Sequence, residues 1–205
     1  MAWAINGKAT PLNAALITKE GDILSSKFAT AHLYAYIAIQ GDIETTLSYD
    51  SCSVYPPAKL GHQGGKPFQK DDIIKWKKNS IELKSSKVNP RVFASNIPII
   101  KGPEYHLLTD ASKQNLTSAT WAKSVNSNRM GARLSGPSLT TQDNLQDSVP
   151  VLPGHIQLPP SGLPIVVLRD GQTTGGYPRI GFIDRDGLDD FNQVGLKGEM
   201  TFRIE

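Results

Sequence analysis

Apolar residues along this chain come in short runs separated by turn residues, without the long 3.6-residue stripe of an amphipathic helix. Ala15–Thr18 and Ile23–Leu24 read as two strands around a turn at Lys19–Asp22, where Gly21 supplies the positive φ such turns need. Leu33–Ile39, rich in tyrosine and isoleucine, reads as the best strand of the first half, ended by Gly41-Asp42. Residues 48–70 carry Pro56, Pro57, Gly61, Gly64, Gly65 and Pro67 and read as a long irregular stretch, of the kind that is functional or mobile. Asp71-Asp72 reads as a turn before a strand over Ile73–Trp76. The polar, lysine-rich segment Ser80–Pro90 reads as a linker.

Beyond Pro90 the pattern restarts. Strands are predicted at Ile97–Ile100, Gly154–Leu158, Pro164–Leu168 and Met200–Ile204. A helix is predicted within Asp110–Trp121, and a clearer one over Asp184–Val194, where Leu188 and Phe191 share a face. Arg129–Gly136 reads as a glycine-punctuated turn region, Thr140–Asp147 as polar loop or helical turn, and Pro159–Gly162 as a tight turn. Many short strands with little helix predict a mainly β fold, a barrel or a sandwich.

Composition narrows the function classes. The chain has 205 residues, enough for one large domain or two small ones with a real core. An apolar fraction of 39% excludes disorder, and 18 glycines with 14 prolines exclude a helical bundle. The net charge is only +3 and the lysines are scattered, apart from the trio Lys75, Lys77 and Lys78, which reads as a solvated face. No nucleic-acid partner is predicted, since that footprint is a concentrated basic stripe. No membrane partner is predicted either: Leu163–Leu168 is far shorter than the roughly 18 apolar residues of a span. A single cysteine, Cys52, and the absence of a leader pattern predict a cytoplasmic setting. His32, His62 and His106 lack ligand spacing, so no metal site is predicted. Phosphate-loop, dinucleotide and nucleophile-elbow signatures are all missing.

Three segments carry chemistry. Asp170-Gly-Gln-Thr-Thr-Gly-Gly-Tyr-Pro178 follows a buried strand. Gln172, Thr173 and Thr174 both donate and accept, Gly175 and Gly176 let backbone approach a ligand, and Tyr177 adds a flat face with a polar tip. Such a loop suits a planar polar ligand such as a ureido or lactam ring; a polar turn that needs glycine for geometry explains it equally well. Asn128-Arg-Met-Gly-Ala-Arg-Leu-Ser-Gly-Pro137 places Arg129 and Arg133 four apart, each able to fork onto carboxylate or phosphate, or simply to reach solvent. In Gly154-His-Ile-Gln-Leu-Pro-Pro-Ser-Gly162, His155 and Gln157 share a strand face, with Gln157 a candidate ligand contact and His155 by default structural.

These three blocks, in this order, resemble the tail of the allophanate hydrolase subunit 2 family, the biotin-dependent carboxyltransferases that include the C subunit of 5-oxoprolinase. Gln193, Gly198 and Phe202 match its closing segment, and Ile99-Ile-Lys-Gly-Pro103 resembles the opening of its second half. Ile5-Asn-Gly7, Gly21-Asp22 and Tyr36-Ile-Ala38 match the first half more weakly, and Cys52 stands where the family tends to have arginine. The family's N-terminal part, with its Gln-Asp-x-Gly-Arg and Ser-Gly-x-x-Asp motifs, has no counterpart here.

The resemblance implies two cyclophilin-like β-barrel domains, the first incomplete: residues 1–88 as its remainder and residues 89–205 as the second, which carries the Gln172–Tyr177 loop. It implies an ATP-dependent 5-oxoprolinase component that opens the lactam of 5-oxoproline, with ATP bound at the level of the complex and not located in this chain. The implied partners are a subunit 1 homologue (the B-like subunit of 5-oxoprolinase) and an A-like subunit. Asp170, Arg129 and Arg133 are the implied catalytic candidates. Gln157, Gln172, Thr173, Thr174, Gly175, Gly176 and Tyr177 are the implied substrate contacts. Two alternatives stay open: a carboxyltransferase of a urea or allophanate pathway, which needs biotin on another chain, and a non-catalytic antagonist that binds the subunit 1 homologue.

Overall fold

A computed structural model of the chain describes residues 3–27, 33–80, 91–143 and 147–205. The chain separates into two compact units. One gathers Met1–Leu12, Lys19–Ala35 and Asn89–Glu205, and the other Asn13–Thr18 and Tyr36–Val88. In the first unit, β1 (Trp3–Ile5) pairs antiparallel with both β2 (Lys8–Ala9) and β3 (Leu24–Ser26). In the second, β4 (Asp42–Ile43) pairs with β5 (Trp76–Lys77).

The rest of the first unit is built from β6 (Asn96–Lys101), β7 (Trp121–Lys123), β8 (Gly131–Ser135), β9 (Val149–Pro150), β10 (His155–Gln157), β11 (Ile165–Val167), β12 (Thr174–Gly175), β13 (Arg179–Phe182) and β14 (Glu199–Ile204). Seven of these close into a barrel in the order β10-β11-β8-β7-β14-β6-β13. The fold is therefore mainly β with few helices, as the sequence predicts. β9 and β12 stand apart as a two-residue antiparallel ribbon.

Alternation explains the barrel. Ile97 and Ile99 of β6, Ala132 and Leu134 of β8, Ile156 of β10, Val166 of β11, Ile180 of β13, and Met200 and Phe202 of β14 all join one buried core. Neighbours of these residues along each strand therefore face outward, because side chains alternate. Trp121 fills the core beside Phe202 and donates its indole N–H to the Leu116 carbonyl at 3.1 Å. The helix Asp110–Ser118 starts at Thr109, whose hydroxyl accepts from the Ser112 N–H. The helix Arg185–Gln193 starts at Asp184, whose carboxylate accepts from the Gly187 N–H at 2.7 Å, and it buries Leu188 and Phe191. Its last carbonyls are capped by the buried Lys123 ammonium, which donates to Phe191, Asn192 and Val194.

Several expectations need correction. Leu33–Ile39 forms no strand, and Tyr34, Tyr36 and Ile37 are exposed. A strand needs a partner edge as well as β-propensity. Here the N–H groups of Leu33 and Tyr34 instead reach the backbone and side-chain carbonyls of Gln193. Ala15–Thr18 is likewise unpaired; the turn beside it forms, with the Asp22 carboxylate accepting the Lys19 N–H at 2.9 Å. The strand expected at Ile73–Trp76 begins only at Trp76. Arg129–Gly136 is mostly strand, because Gly131–Ser135 finds edges on both sides in β7 and β11. Trp121, expected at a helix end, lies on β7. The linker at Ser80–Pro90 falls outside the described residues from 81 onward, as do 144–146 of the predicted polar loop.

Candidate functional site

Two of the sequence-predicted residues, Gln157 and Arg133, lie on the outer face of the barrel, in a row that crosses β10, β11 and β8. The register pairs Gln157 with Ile165 and Ile165 with Arg133, while Arg179 meets Gln157 across a bulge between Ile156 and Gln157. Residues paired in this way project to the same side of a sheet. The inward positions are taken by Ile180, Ile156, Val166 and Ala132. Gln157 and Arg133 are thus two strands apart on the same face, on the order of 10 Å between backbones at the usual strand spacing.

Loops cover one end of this row. Gln157 is only 1% exposed, beneath the Asp170–Pro178 segment. Gln172 donates its Nε2 to the Gln157 Oε1 at 2.9 Å. The Nε2 of Gln157 has no hydrogen-bond partner among the described residues. It lies against Gly175, where an added Cβ would come within 2.8 Å of it and force the amide to shift. Thr173, Thr174, Gly176 and Tyr177 are exposed around this point. The loop is anchored to β9 by the Thr174–Pro150 and Gly175–Val149 pairs and by the Val151 N–H bond to the Thr173 carbonyl at 2.8 Å.

Two ion pairs hold the ends of the loop. At its start Asp170 meets Arg129, with Nε to Oδ2 at 2.8 Å and Nη2 to Oδ1 at 3.3 Å. The backbones join there too, through Asp170 N–H to the Arg129 carbonyl and Leu168 N–H to the Met130 carbonyl. Arg129 thus pairs with Asp170 while most of its side chain stays in solvent. Arg133 projects from β8 into solvent.

At the loop's far end Arg179 forks onto Glu104 with contacts of 2.8 and 2.7 Å, and its Nη1 donates to the Pro150 carbonyl at 2.9 Å. The Arg179 hydrogen bonds hold the Glu104 carboxyl below its ordinary value against the opposing effect of burial. One arginine thus ties β13, β9 and the Glu104 turn together. His155, on the same strand face as Gln157, is buried and accepts the Leu152 N–H on Nδ1 at 2.9 Å. Burial first, and the Arg179 charge second, lower its pKa, so it stays neutral with its proton on Nε2. It packs edge-on against Phe182 and is a structural histidine.

Residues 1–204 match the model of the carboxyltransferase domain, subdomain A and B. The chain belongs to the carboxyltransferase domain family. It is 37% identical to the 5-oxoprolinase C subunit of Escherichia coli (strain K12) over 188 residues, which is 90% of this chain and 60% of that protein. It is 30% identical to the 5-oxoprolinase C subunit of Haemophilus influenzae over 185 residues, again 90% of this chain and 60% of the relative. The chain therefore spans about 60% of the length of these curated relatives. Among solved structures it resembles the Kluyveromyces lactis urea carboxylase, with a TM-score of 0.83 at 21% identity, covering 98% of this chain and 20% of that one. The K. lactis urea amidolyase gives a TM-score of 0.82 at 20% identity, covering 98% of this chain and 14% of that one. At such identities the solved structures establish the shared fold.

Within this carboxyltransferase-domain fold, sequence reasoning found the loop, Gln157 and the arginine block but missed Glu104 and Arg179. The signal for Arg179 was its place directly after Pro178, where the loop rejoins a strand. Glu104 follows the Lys101-Gly-Pro103 turn, and Gly102 packs so close to the Arg179 carbonyl that no Cβ fits. Neither residue belongs to a pattern that reports a pair 75 positions apart. Among the described residues, no group of three His, Cys, Asp or Glu gathers to hold a metal, and no helix is long and apolar enough to cross a membrane.

Proposed function

We propose that the chain acts as a C-type component of a 5-oxoprolinase, binding the small cyclic amide together with its companions in the complex. The observation that carries this reading is the amide pair Gln157–Gln172 beneath a glycine-threonine loop, with Arg133 on the same barrel face. A lactam offers a planar amide to such a pair, and a ring carboxylate offers Arg133 a partner. Thr173, Thr174 and Tyr177 border the same place and supply hydroxyls and a flat surface. Asp170 shapes the loop through Arg129 in this reading and touches no ligand. The donor set of amides, hydroxyls and one arginine suits a small planar molecule better than a triphosphate, so in this reading the loop is not the ATP site of the complex.

The test is reconstitution with A-type and B-type companions and assay of ATP-dependent conversion of 5-oxoproline to glutamate. Thr174→Ala and Tyr177→Ala should abolish turnover and leave the melting temperature unchanged, because both side chains are exposed. A collapse of stability in these variants would return the loop to a structural role. The family's carboxyltransferase description supports a second reading, carboxyl transfer from biotin on another chain; inhibition of the reconstituted complex by avidin would select it.

A further inference from the structure

We infer that the second compact unit is a docking surface for further polypeptide: it becomes stable only under a cover from outside residues 1–205. That cover is the N-terminal remainder which the 5-oxoprolinase C subunits carry beyond their match to this chain. The inference concerns assembly and is independent of the ligand read at the Gln172–Tyr177 loop.

The unit lacks the usual means of holding itself together. Every buried apolar side chain among the described residues lies between Ile97 and Phe202, in the first unit. Among the described residues of the second unit, 13–18 and 36–80, only Gly65 is buried. Tyr36, Tyr49 and Ile73 are 84%, 94% and 73% exposed. Small units without a core of their own rely on disulfides, a structural metal or association. The single cysteine, Cys52, excludes an internal disulfide. No group of three His, Cys, Asp or Glu gathers for a metal among the described residues. Association is what is left.

The β4–β5 ribbon shows which side is open. Its register sets Ile43 opposite Trp76 and Asp42 opposite Lys77. Opposite partners project to one side, and successive residues to alternate sides. The ribbon therefore has an apolar face and a charged face. Its apolar face is uncovered, with Ile43 and Trp76 49% and 51% exposed. The Glu44 N–H lengthens the ladder by a bond to the Lys75 carbonyl, yet no third strand joins among the described residues. Two strands alone are marginal in water, and such a ribbon needs another strand or a packed element on its apolar face. The chemistry of the partner follows: a polypeptide with strand-forming segments and an apolar side.

The relatives carry a candidate for it. Residues 1–204 match the family, yet the matches cover only 60% of the E. coli and H. influenzae C subunits. Each of those proteins joins a further stretch to a region that matches 90% of this chain. That stretch is the occupant to which the open face is assigned.

The test is co-expression of the full chain with the unmatched N-terminal part of the E. coli C subunit as a separate polypeptide. The readouts are light scattering after size exclusion and amide hydrogen exchange. Alone, the chain should be monomeric, and amides of residues 36–80 should exchange about tenfold or more faster than those of β6, β8, β10 and β14. Co-expressed, the two polypeptides should elute as a one-to-one complex. Protection over residues 36–80 should then rise about tenfold or more, with the barrel strands unchanged. Ile43→Asp and Trp76→Ser should leave the melting temperature of the chain alone unchanged and weaken the complex about tenfold or more. A fusion of the same E. coli segment ahead of Met1 reads the same protection where the separate segment does not express.

Slow exchange over residues 36–80 in the monomeric chain overturns the inference, because the unit is then self-sufficient. A homodimer that protects these residues overturns it too, since the cover is then a second copy. So does a complex or fusion that adds no protection there, or one that Ile43→Asp and Trp76→Ser leave at full strength.

Discussion

Arg179 and Glu104 lie 75 positions apart in sequence and form a forked ion pair, Nε to Oε2 at 2.8 Å and Nη2 to Oε1 at 2.7 Å. The Arg179 backbone N–H adds a third bond to Oε2 at 2.9 Å. Both side chains are largely buried, at 14% and 11% exposure, so little water is left to solvate either charge. The pair couples the turn after β6 to the start of β13, and through Pro150 to the ribbon that carries the candidate site.

Removing one partner of such a pair leaves the other charge buried and alone. Glu104→Ala should therefore destabilise the first unit by about 3–5 kcal/mol in urea unfolding. Glu104→Gln, which keeps an acceptor, should cost less. The wild-type protein should also be acid-sensitive. The folded Glu104 carboxyl titrates below its ordinary value of 4.5, chiefly through its hydrogen bonds to Arg179. Its stabilising effect is present above 4.5 and is lost as the pH falls through the lower folded value. Unfolding midpoints measured downward from about pH 6 should show this loss in wild type and a flatter profile in Glu104→Gln.

Gly175 and Gly176 are adjacent in sequence and should respond oppositely to alanine. A Cβ at Gly175 would meet the Gln157 Nε2 at 2.8 Å, while a Cβ at Gly176 meets nothing within 4 Å. Gly175→Ala should cost about 1–3 kcal/mol and displace the Gln157 amide. Gly176→Ala should stay within about 0.5 kcal/mol of wild type. Thermal melts of the two variants, with the Gln157 amide signal as reporter, separate these outcomes.

The barrel was legible wherever apolar alternation and partner edges agree, as at Ile97–Ile100, Pro164–Leu168 and Met200–Ile204. It was illegible at Leu33–Ile39, where the composition is that of a strand but no edge among the described residues pairs with it. Arg133 shows the opposite failure: its glycine-flanked block reads as a turn and becomes a strand because two edges meet it. The site divides in the same way. The Gln172–Tyr177 loop announces itself through local chemistry, and so does Gln157. Glu104, Arg179 and Lys123 act over long sequence separations, and a side chain that reaches across a barrel leaves no periodic trace. The separation of Arg129 from Arg133 was equally hidden, since it depends on where Asp170 lies.

Asp170 and Arg129 offer a cleaner functional test than the buried pair. Arg129 is 60% exposed, and the backbone bonds between the two loops remain whatever the side chains are. Asp170 itself is only 16% exposed, but with its partner in solvent the pair is screened and contributes on the order of 1 kcal/mol. Asp170→Asn should melt within a few degrees of wild type. A large loss of reconstituted turnover in that variant would then place Asp170 in the chemistry; retained turnover would make it a loop anchor only.

Lys123 tests whether a buried cation closes the barrel against its last helix. Its ammonium lies 4.4 Å from the Phe191 ring centroid and donates to the Asn192 and Val194 carbonyls at 3.2 and 2.9 Å, as well as to that of Phe191. Lys123→Met should fill a similar volume yet orphan these carbonyls, costing about 1–3 kcal/mol near neutral pH. Burial lowers the folded Lys123 pKa from 10.5 to about 8. Between these values the unfolded chain holds a proton that the fold has released, so wild-type stability should rise as the pH increases from 8 to 10.5. Lys123→Met lacks that group, so the gap between wild type and variant should widen across the same window. Urea unfolding of both proteins at about pH 7, 8.5 and 10 reads this directly. A gap that narrows with pH would mean that the carbonyl cage and the helix end favour the ammonium more than burial penalises it.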